Sequence, residues 1–465
     1  MERSQAGSHW IYFLYLLLLI WVPLPLGSNR PWSWAVLEVW VLLLSMAWLV
    51  GYMRGRSFCG PILHGARPVL LCSIAWLAYV WFQLIPLPTG ISAWLSPEAT
   101  RWHHAASLSG TLSAAPLTLD RYATLDSACK STAYVAFFIL SLVLLQTRDR
   151  IRFATYALIA SGVLQALYGA FASLQGSAGP AAGTFVNRNH YAAYIVMCLS
   201  VGIGVLIASL SGAKNHTWGQ FFRNLFRWMI TPKMGLRLLL VTMVIALVLT
   251  RSRMGNGSFC ISLLITGIVS LLLSKRATQS SIVLIISLIV IDLTIVGTYF
   301  GTEYVVQRVS ETTLQSGDRA DVTRYAINMW KDYPLFGSGL GSFPVVFPRY
   351  SGEGTSVAYT HAHNDYIEFA AEVGFIGLSL LGTIVVLSYA AALRAQHLRR
   401  DPVMRGVSFA AMMGIMAFMI HGSVEFNFQI PANALTFMLL LAFGWISLLH
   451  VDDDTKPRDR EFRDG

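Results

Sequence analysis

The sequence predicts an all-α integral membrane protein with about 12 transmembrane helices. Of its 465 residues 55% are hydrophobic and only 12% are charged, and the mean hydropathy is +0.56. This balance lies outside the usual range of a soluble globular domain. A transmembrane helix needs about 20 mostly apolar residues. Twelve segments qualify, centred on residues 10–26, 32–52, 69–88, 128–146, 151–174, 190–210, 235–250, 257–274, 281–300, 375–393, 407–425 and 433–450.

The distribution of lysine and arginine predicts the orientation of these segments. With the N-terminus placed in the cytoplasm, 22 of the 34 Lys and Arg residues fall in cytoplasmic segments. Both termini are therefore expected in the cytoplasm, and the first segment, which lacks a small-x-small cleavage site, is expected to stay as an anchor. The net charge of +10 then reflects topology and contact with anionic membrane lipids. No nucleic-acid partner is expected, because no basic soluble domain is present to bind one.

The polar residues divide the chain unequally. Residues 1–300 are expected to hold spans one to nine, with an outer loop at 89–127, and a large outer loop at 301–373 separates spans nine and ten. Residues 374–450 would hold spans ten to twelve, and 451–465 would form a cytoplasmic tail. Loops longer than about a dozen residues in a compact protein are usually functional, so the outer side is expected to be the working face.

The large outer loop contains one clear helical pattern. The stretch SGDRADVTRYAINMWKDYPLFGSGLGSF predicts a helix that ends at Tyr333–Pro334. Its apolar residues recur with helical spacing, at Val322, Tyr325, Ala326, Met329 and Trp330. Arg319 falls within or beside this stripe and Arg324 on the opposite face. The glycines that follow come after a helix, which favours turns over a nucleotide-binding loop.

The stretch THAHNDYIEFAAEVGFIGL, residues 360–378, combines polar side chains with the start of an apolar span. A helix is expected to begin near His363, with Asp365 in its first turn, where the positive helix end favours an acid. At helical spacing one face of this helix carries Asp365, Glu368 and Glu372. Gly374 is expected to interrupt the helical pattern before span ten. These features place His363 at the membrane surface, at the start of a helix.

Several arginines are expected at the outer ends of spans, on the side that basic residues normally avoid. They are Arg188 in GTFVNRNHYAAY, and Arg251 and Arg253 in LTRSRMGNG, in addition to Arg319 of the large outer loop. Each of them alone could extend to the lipid head groups. Together they indicate a site for an anion near the membrane, because guanidinium groups bind phosphate in a bidentate manner and keep their charge.

Ionisable residues inside predicted spans leave two interpretations open. Glu38, Asp292 and Glu425, the last with His421 nearby, could line a proton pathway as in transporters. They could equally be paired structural groups. His361, His363 and Asp365 raise a metal site as a possibility, but residues two apart do not share a helix face. We therefore predict no metal ligand and no cofactor, and we interpret His363 as a general base, a role suited to an imidazole near neutral pH.

These residues resemble the O-antigen ligase and O-antigen polymerase superfamily. The string His363–Asn364, nine residues, Gly374, two residues and Gly377 is similar to its signature. The elements IPLP…ISAWLSP…PLTLD, GTFVNRNHYAAY, TRSRMG and DRADVTRYAINMWKDYPLFGSGLGSF occur in the same order, so the likeness covers about residues 83–450.

The resemblance implies a metal-independent glycosyltransferase of the bacterial inner membrane, GT-C-like in fold, with a periplasmic active site. Its donor would be an undecaprenyl-pyrophosphate-linked glycan, and its acceptor lipid A-core or a growing polysaccharide. His363 matches the proposed base, and Arg253 and Arg319 match residues taken to bind pyrophosphate. Arg188 is a looser match, and Arg251 is grouped with these arginines by position. Asn364 or Asp365 could orient the imidazole, although capping of the helix explains them equally well.

Four functions remain open at this stage. Three share the site: ligation of O-antigen to lipid A-core, polymerisation of repeat units into O-antigen or exopolysaccharide, and transfer of a glycan to a protein hydroxyl. The fourth is a flippase or transporter of lipid-linked glycan, which would also use a basic cavity but would give His363 no chemical task.

Overall fold

The computed structural model describes residues 9–107, 112–175, 179–210, 234–273, 321–352 and 359–451, and these ranges form a bundle of α-helices. In chain order the helices are α1 (His9–Trp21), α2 (Pro31–Met53), α3 (Pro61–Gly65), α4 (Arg67–Phe82), α5 (Thr89–Leu95), α6 (Pro97–Ala106), α7 (Arg121–Leu144), α8 (Arg148–Leu174), α9 (Arg188–Leu210), α10 (Met234–Leu249), α11 (Arg253–Leu273), α12 (321–332), α13 (Phe343–Val346), α14 (Asp365–Leu398), α15 (Pro402–Gly422) and α16 (Pro431–Leu449). Two short strands, β1 (Leu87–Pro88) and β2 (Ala114–Ala115), pair antiparallel.

The helices confirm the predicted class of an all-α membrane protein. Among the described residues, α2, α7, α8, α9, α11, α14, α15 and α16 are long and apolar enough to cross a membrane. The helices α1, α4 and α10 are apolar but shorter. These eleven helices coincide with eleven of the predicted spans. The remaining predicted span, 281–300 with Asp292, lies outside the described residues, so a count of about 12 stays a prediction.

The centre of the bundle is formed by α9, α15 and α16. Most residues of these helices are buried, and many are small, which lets the backbones approach closely. At the crossing of α9 and α15, a Cβ atom added to Gly204 or Gly406 would collide with the backbone carbonyl of the other glycine. Glycine at both positions therefore permits this contact, which fixes how α9 lies against α15.

The two predicted outer loops pack together at one end of the bundle. Arg349 donates from Nη1 to Glu98 Oε1 at 2.9 Å, and the Leu119 amide donates to the Ser338 carbonyl at 2.8 Å. A second, smaller apolar core lies beneath them. It includes the predicted stripe of α12, with Val322, Ala326 and Met329 buried and with Tyr325 and Trp330 partly buried; Arg324 is exposed. The helical pattern predicted for this loop is thus confirmed over residues 321–332.

The helix α14 runs from this end through the bundle with one interruption. Gly374 adopts a non-helical conformation with a φ of 61°, which confirms the predicted interruption of the helical pattern. An added Cβ would collide with the Leu335 carbonyl. The next amide, of Phe375, donates to the Pro334 carbonyl at 2.8 Å. The break in α14 therefore makes room for the turn that follows α12. In this turn Gly337, Gly339 and Gly341 have positive φ.

Candidate active site

His363 lies immediately before α14, in a strained backbone conformation. Its φ is 50°, a left-handed value that costs a residue with a side chain about 1 to 2 kcal/mol. Its side chain is 22% exposed, and Nδ1 lies 3.4 Å from Oε2 of Glu425. The surrounding contacts thus hold one face of the imidazole against a carboxylate, while part of the ring stays accessible.

Glu425 connects three helices at this point. It follows α15, its side chain is only 2% exposed, and Oε1 accepts a hydrogen bond of 2.5 Å from Asn189 Nδ2 at the start of α9. His190, also on α9, places Nε2 4.0 Å from Oε2. The carboxylate therefore binds the first turn of α9 to the loop that carries His363. Sequence reasoning identified Glu425 as an intramembrane acid but did not pair it with His363.

The ring of Phe426 supports three imidazoles. His361 stacks on it with a centroid distance of 4.2 Å, while His190 and His363 meet it edge-on at 4.5 and 5.0 Å. Aromatic contacts in these arrangements add to the stabilisation obtained from burial alone. Phe426 thus limits the movement of the His363 ring.

Asp365, Glu368 and Glu372 form a buried carboxylate row on one face of α14, as the sequence spacing predicted, and each is at most 2% exposed. Each binds a different segment. Asp365 accepts the amides of Asn427 and Phe428, Glu368 accepts the amide of Ala362 and Nδ1 of His361, and Glu372 accepts the amide of Phe343. Each of these bonds gives a buried carboxyl group a partner. The carboxylate row therefore fixes the segments that surround His363. One of these is the segment directly after Glu425, which Asp365 binds.

Asn364 caps α14. Its side-chain Oδ1 accepts the amides of Tyr366 and Ile367 at 3.1 and 3.2 Å. This is the interaction expected of an N-cap asparagine, which satisfies amides that have no partner within the helix.

We expect Asn364→Ala to lower the free energy of unfolding by about 1 kcal/mol, because the first turn of α14 loses its cap. Asn364→Ser should restore most of this, since a serine hydroxyl can accept the same bonds. Thermal denaturation of the purified variants in detergent measures the effect. A serine variant that is stable but inactive would show instead that the amide acts on the substrate or on the imidazole.

The starts of α9 and α11 bring two of the predicted arginines towards this end. Arg188 is the first residue of α9 and precedes Asn189, which binds Glu425. Arg253 is the first residue of α11, which lies so close to α9 that a Cβ added at Gly255 would be 2.6 Å from the Ala192 methyl group. Helix N-termini attract anions. The arginines and the ends of α9 and α11 thus create a positive region beside the Asn189–Glu425 contact.

The other two predicted arginines are Arg251 and Arg319. Arg251 lies in the turn between α10 and α11 with a φ of 53°. Arg319 lies outside the described residues.

The two histidines of the THAHND stretch contact the same Phe426 ring but face different acids. His361 binds Glu368 and His363 faces Glu425, so their Nδ1 atoms point to different acids. Among the described residues, no group of three or more His, Cys, Asp or Glu side chains is arranged to hold a metal ion. The site brings the partly exposed imidazole of His363 near the start of α9 through Glu425 and Asn189.

A comparison with protein families matches part of the chain. The model of the family described as O-Antigen ligase matches residues 238–382, a range that includes Arg251, Arg253, Arg319 and His363. No curated protein matches the chain.

Proposed function

The match supports the O-antigen ligase superfamily as the family of this multi-pass membrane protein, and from that premise we propose that it is an O-antigen ligase-like glycosyltransferase. It transfers a glycan from undecaprenyl pyrophosphate to an acceptor hydroxyl on the periplasmic face of the inner membrane. The reaction needs no metal ion. Polymerisation of repeat units and transfer to a protein hydroxyl use the same chemistry and differ in the acceptor.

The contact between His363 and Glu425 is the observation that carries this proposal. A carboxylate that accepts a hydrogen bond from Nδ1–H leaves the Nε2 atom as the basic nitrogen of the imidazole. The carboxylate also stabilises the positive charge that the ring gains when it takes up a proton. His363 is thereby suited to act as a general base, and Glu425 positions it.

The proposed reaction is a direct displacement. Nε2 of His363 removes the proton of the acceptor hydroxyl, and the oxygen attacks the anomeric carbon of the donor. The bond between that carbon and the phosphate oxygen breaks, and its electron pair leaves with the lipid pyrophosphate. Inversion at the anomeric carbon follows, and the imidazolium afterwards releases its proton to water.

The departing pyrophosphate is assigned to the positive region at the starts of α9 and α11. Arg253 and Arg319 are proposed to bind it, with Arg188 and Arg251 contributing to the positive charge. Fixed cations and helix N-termini stabilise the negative charge that develops on the leaving oxygens without reorganising during the reaction. This arrangement lowers the barrier in a way that a mobile solvent shell could not.

We expect Arg253→Ala to weaken the use of donor by about 10- to 100-fold, corresponding to the loss of a charge-assisted interaction of about 1.5 to 3 kcal/mol. Arg67→Ala is the matched control, because Arg67 is also an exposed first residue of a helix, α4, at the opposite end of the bundle. Release of lipid pyrophosphate at varied donor concentration measures both. Equal losses in the two variants would contradict a donor site at α11.

The proposed activity itself is tested with the purified protein in detergent, lipid-pyrophosphate glycan and candidate acceptors, with and without chelator. Release of lipid pyrophosphate that depends on acceptor and persists with chelator supports transfer. If the protein in detergent never cleaves the donor, and the same protein placed in vesicles moves the donor across their membrane, it is a transporter. Lipopolysaccharide gels of a deletion strain then separate the acceptors: loss of every O-unit indicates a ligase, and a single capped unit indicates a polymerase.

A further inference from the structure

A groove of about 180 Å³ lies between α8, α9 and α15. The helix α9 packs against both of the others, and the lining along it runs from Val201 to Ser209, about 12 Å at the helical rise per residue. On α15 the lining begins at Val403, in the first turn, whereas Glu425 and its partner His363 lie beyond the last turn of that helix. The groove is therefore at the end of the bundle opposite to the candidate active site.

The groove opens sideways, towards the surroundings of the bundle. On its α8 side, Arg152 and Tyr156 are exposed. Further from the helix ends, the lining of α9 and α15 is apolar and includes Val201, Val205 and Val407. The surroundings of a helix bundle in a membrane are lipid, so a hydrocarbon chain can enter this groove directly.

Arg152 gives the mouth of the groove a positive charge. Its side chain is 49% exposed, and its Nη1 atom lies 3.9 Å from Oδ1 of Asp149, which is 81% exposed. A contact of this length between exposed groups contributes little to stability. Asp401, at the start of α15, pairs instead with Arg148 at 3.4 Å. The guanidinium of Arg152 is therefore available to bind an anion from the membrane.

The order of the groups along the groove matches a phospholipid. Arg152 lies near the start of α8, Tyr156 follows one turn further on the same face with a phenolic hydroxyl, and apolar side chains line the rest. We infer that this groove binds an anionic phospholipid, with its phosphate against Arg152 and one acyl chain along α9. In the predicted orientation this end faces the cytoplasm, where the membrane surface carries anionic lipids. A zwitterionic lipid binds more weakly, because its ammonium group lies close to the guanidinium.

The bound lipid would contact the helices that carry the carboxylate partner of His363. Gly204 and Gly406, at which α9 and α15 cross, both line the groove. At their other ends the same helices provide Asn189 and the segment with Glu425. A ligand that binds only the folded protein stabilises it by mass action, so the lipid should stabilise the packing of α9 against α15. This binding is independent of the proposed transfer reaction and is measured without turnover.

The first experiment measures lipid binding to the full protein in detergent by native mass spectrometry and thermal denaturation. The probes are dioleoyl phosphatidylglycerol, dioleoyl phosphatidylcholine and glycerol 3-phosphate. Phosphatidylglycerol should bind and raise the denaturation temperature. Phosphatidylcholine should bind about five- to tenfold more weakly, as expected for one basic residue near a membrane surface, and glycerol 3-phosphate should have no effect. Equal binding of the two lipids, or equal stabilisation by glycerol 3-phosphate, overturns the inference.

Two arginine variants locate the charge that the lipid uses. Arg152→Ala should weaken the binding of phosphatidylglycerol about five- to tenfold and remove the preference over phosphatidylcholine. Arg394→Ala is the matched control, because Arg394 is an exposed basic residue near the end of α14, at the same end of the bundle, and does not line the groove. Equal losses in the two variants would show only a general attraction of the basic surface and overturn the inference.

The second experiment is photolabelling in nanodiscs with phosphatidylglycerol that carries a diazirine in its acyl chain. The probe should label residues 151–156, 201–209 and 403–410 more strongly than other exposed apolar surfaces. Ala208→Leu, which narrows the groove, should reduce this labelling about tenfold, as expected for the loss of about two buried methylene groups. Ala160→Leu is the control, because Ala160 is exposed on α8 and does not line the groove.

The labelling also decides between a lipid and other occupants. Uniform labelling of all exposed apolar helices, or unchanged labelling in Ala208→Leu, overturns the inference. A cross-link between two copies of the chain through a cysteine placed at position 156 overturns it too, because a second copy would then occupy the groove. If Ala208→Leu lowers the denaturation temperature without lipid, Arg152→Ala takes its place in the labelling, since that side chain is half exposed.

Discussion

His363→Ala is expected to reduce glycan transfer by at least about 10²- to 10⁴-fold, the contribution that a positioned general base typically makes. The acceptor hydroxyl would then have to lose its proton to water, while donor binding at the starts of α9 and α11 is left in place. The loss should appear in kcat, with KM for the donor little changed. Initial rates of lipid-pyrophosphate release measure both constants.

The control for this variant is His64→Ala, since His64 is an exposed histidine in the last turn of α3, at the opposite end of the bundle. Both variants should denature at nearly the temperature of the unchanged protein. Undiminished turnover in His363→Ala would reject the base and, with it, the proposed displacement.

The second large effect is expected for Glu425→Gln, which keeps the shape of the side chain. Asn189 Nδ2 donates to Oε1 of Glu425, so a glutamine that preserves this bond turns its NH₂ group towards Nδ1 of His363. Nδ1 must then accept a hydrogen bond, which moves the ring proton to Nε2 and removes the base. The loss of the carboxylate charge also destabilises the imidazolium. We expect kcat to fall about 10²- to 10⁴-fold.

A double variant separates positioning from a general structural effect. If Glu425 acts through the imidazole, Glu425→Gln should cost almost nothing further in a His363→Ala background, because the two residues work as a unit. Glu38→Gln, at a partly buried acid of α2, is the control and should leave kcat unchanged. Additive losses in the double variant would assign Glu425 a role independent of His363.

The sequence alone predicted those parts of the site that depend on local patterns. The stripe of α12, the start of α14 next to His363 and the break at Gly374 follow from helical spacing, helix-end chemistry and the flexibility of glycine. The shared face of the carboxylate row follows from the same spacing. The distinction between a cap and a catalytic role for Asn364 could not be drawn, because one asparagine suits both until its partners are known.

The partner of His363 could not be predicted in this way. Glu425 is 62 residues further along the chain, and Asn189 is 236 residues from Glu425. Their meeting depends on how α9 packs against α15 and on the tie between Asp365 and the segment after Glu425, which are tertiary contacts without a local signal. The available indication of this contact was the predicted position of Glu425, at the outer end of a span and at the same level as His363. The distribution of charged residues along the sequence did not show that Glu425 contacts His363.

The carboxylate row also has a consequence for how the glycan preference of such a protein can change through mutation. Three stretches that are far apart in the chain are anchored on one helix face, directly beneath the reacting groups. More distant portions of the loops at this end of the bundle can then be replaced or lengthened to accommodate a different sugar while the imidazole keeps its position. Diversification of glycan preference is thereby separated from preservation of the chemistry.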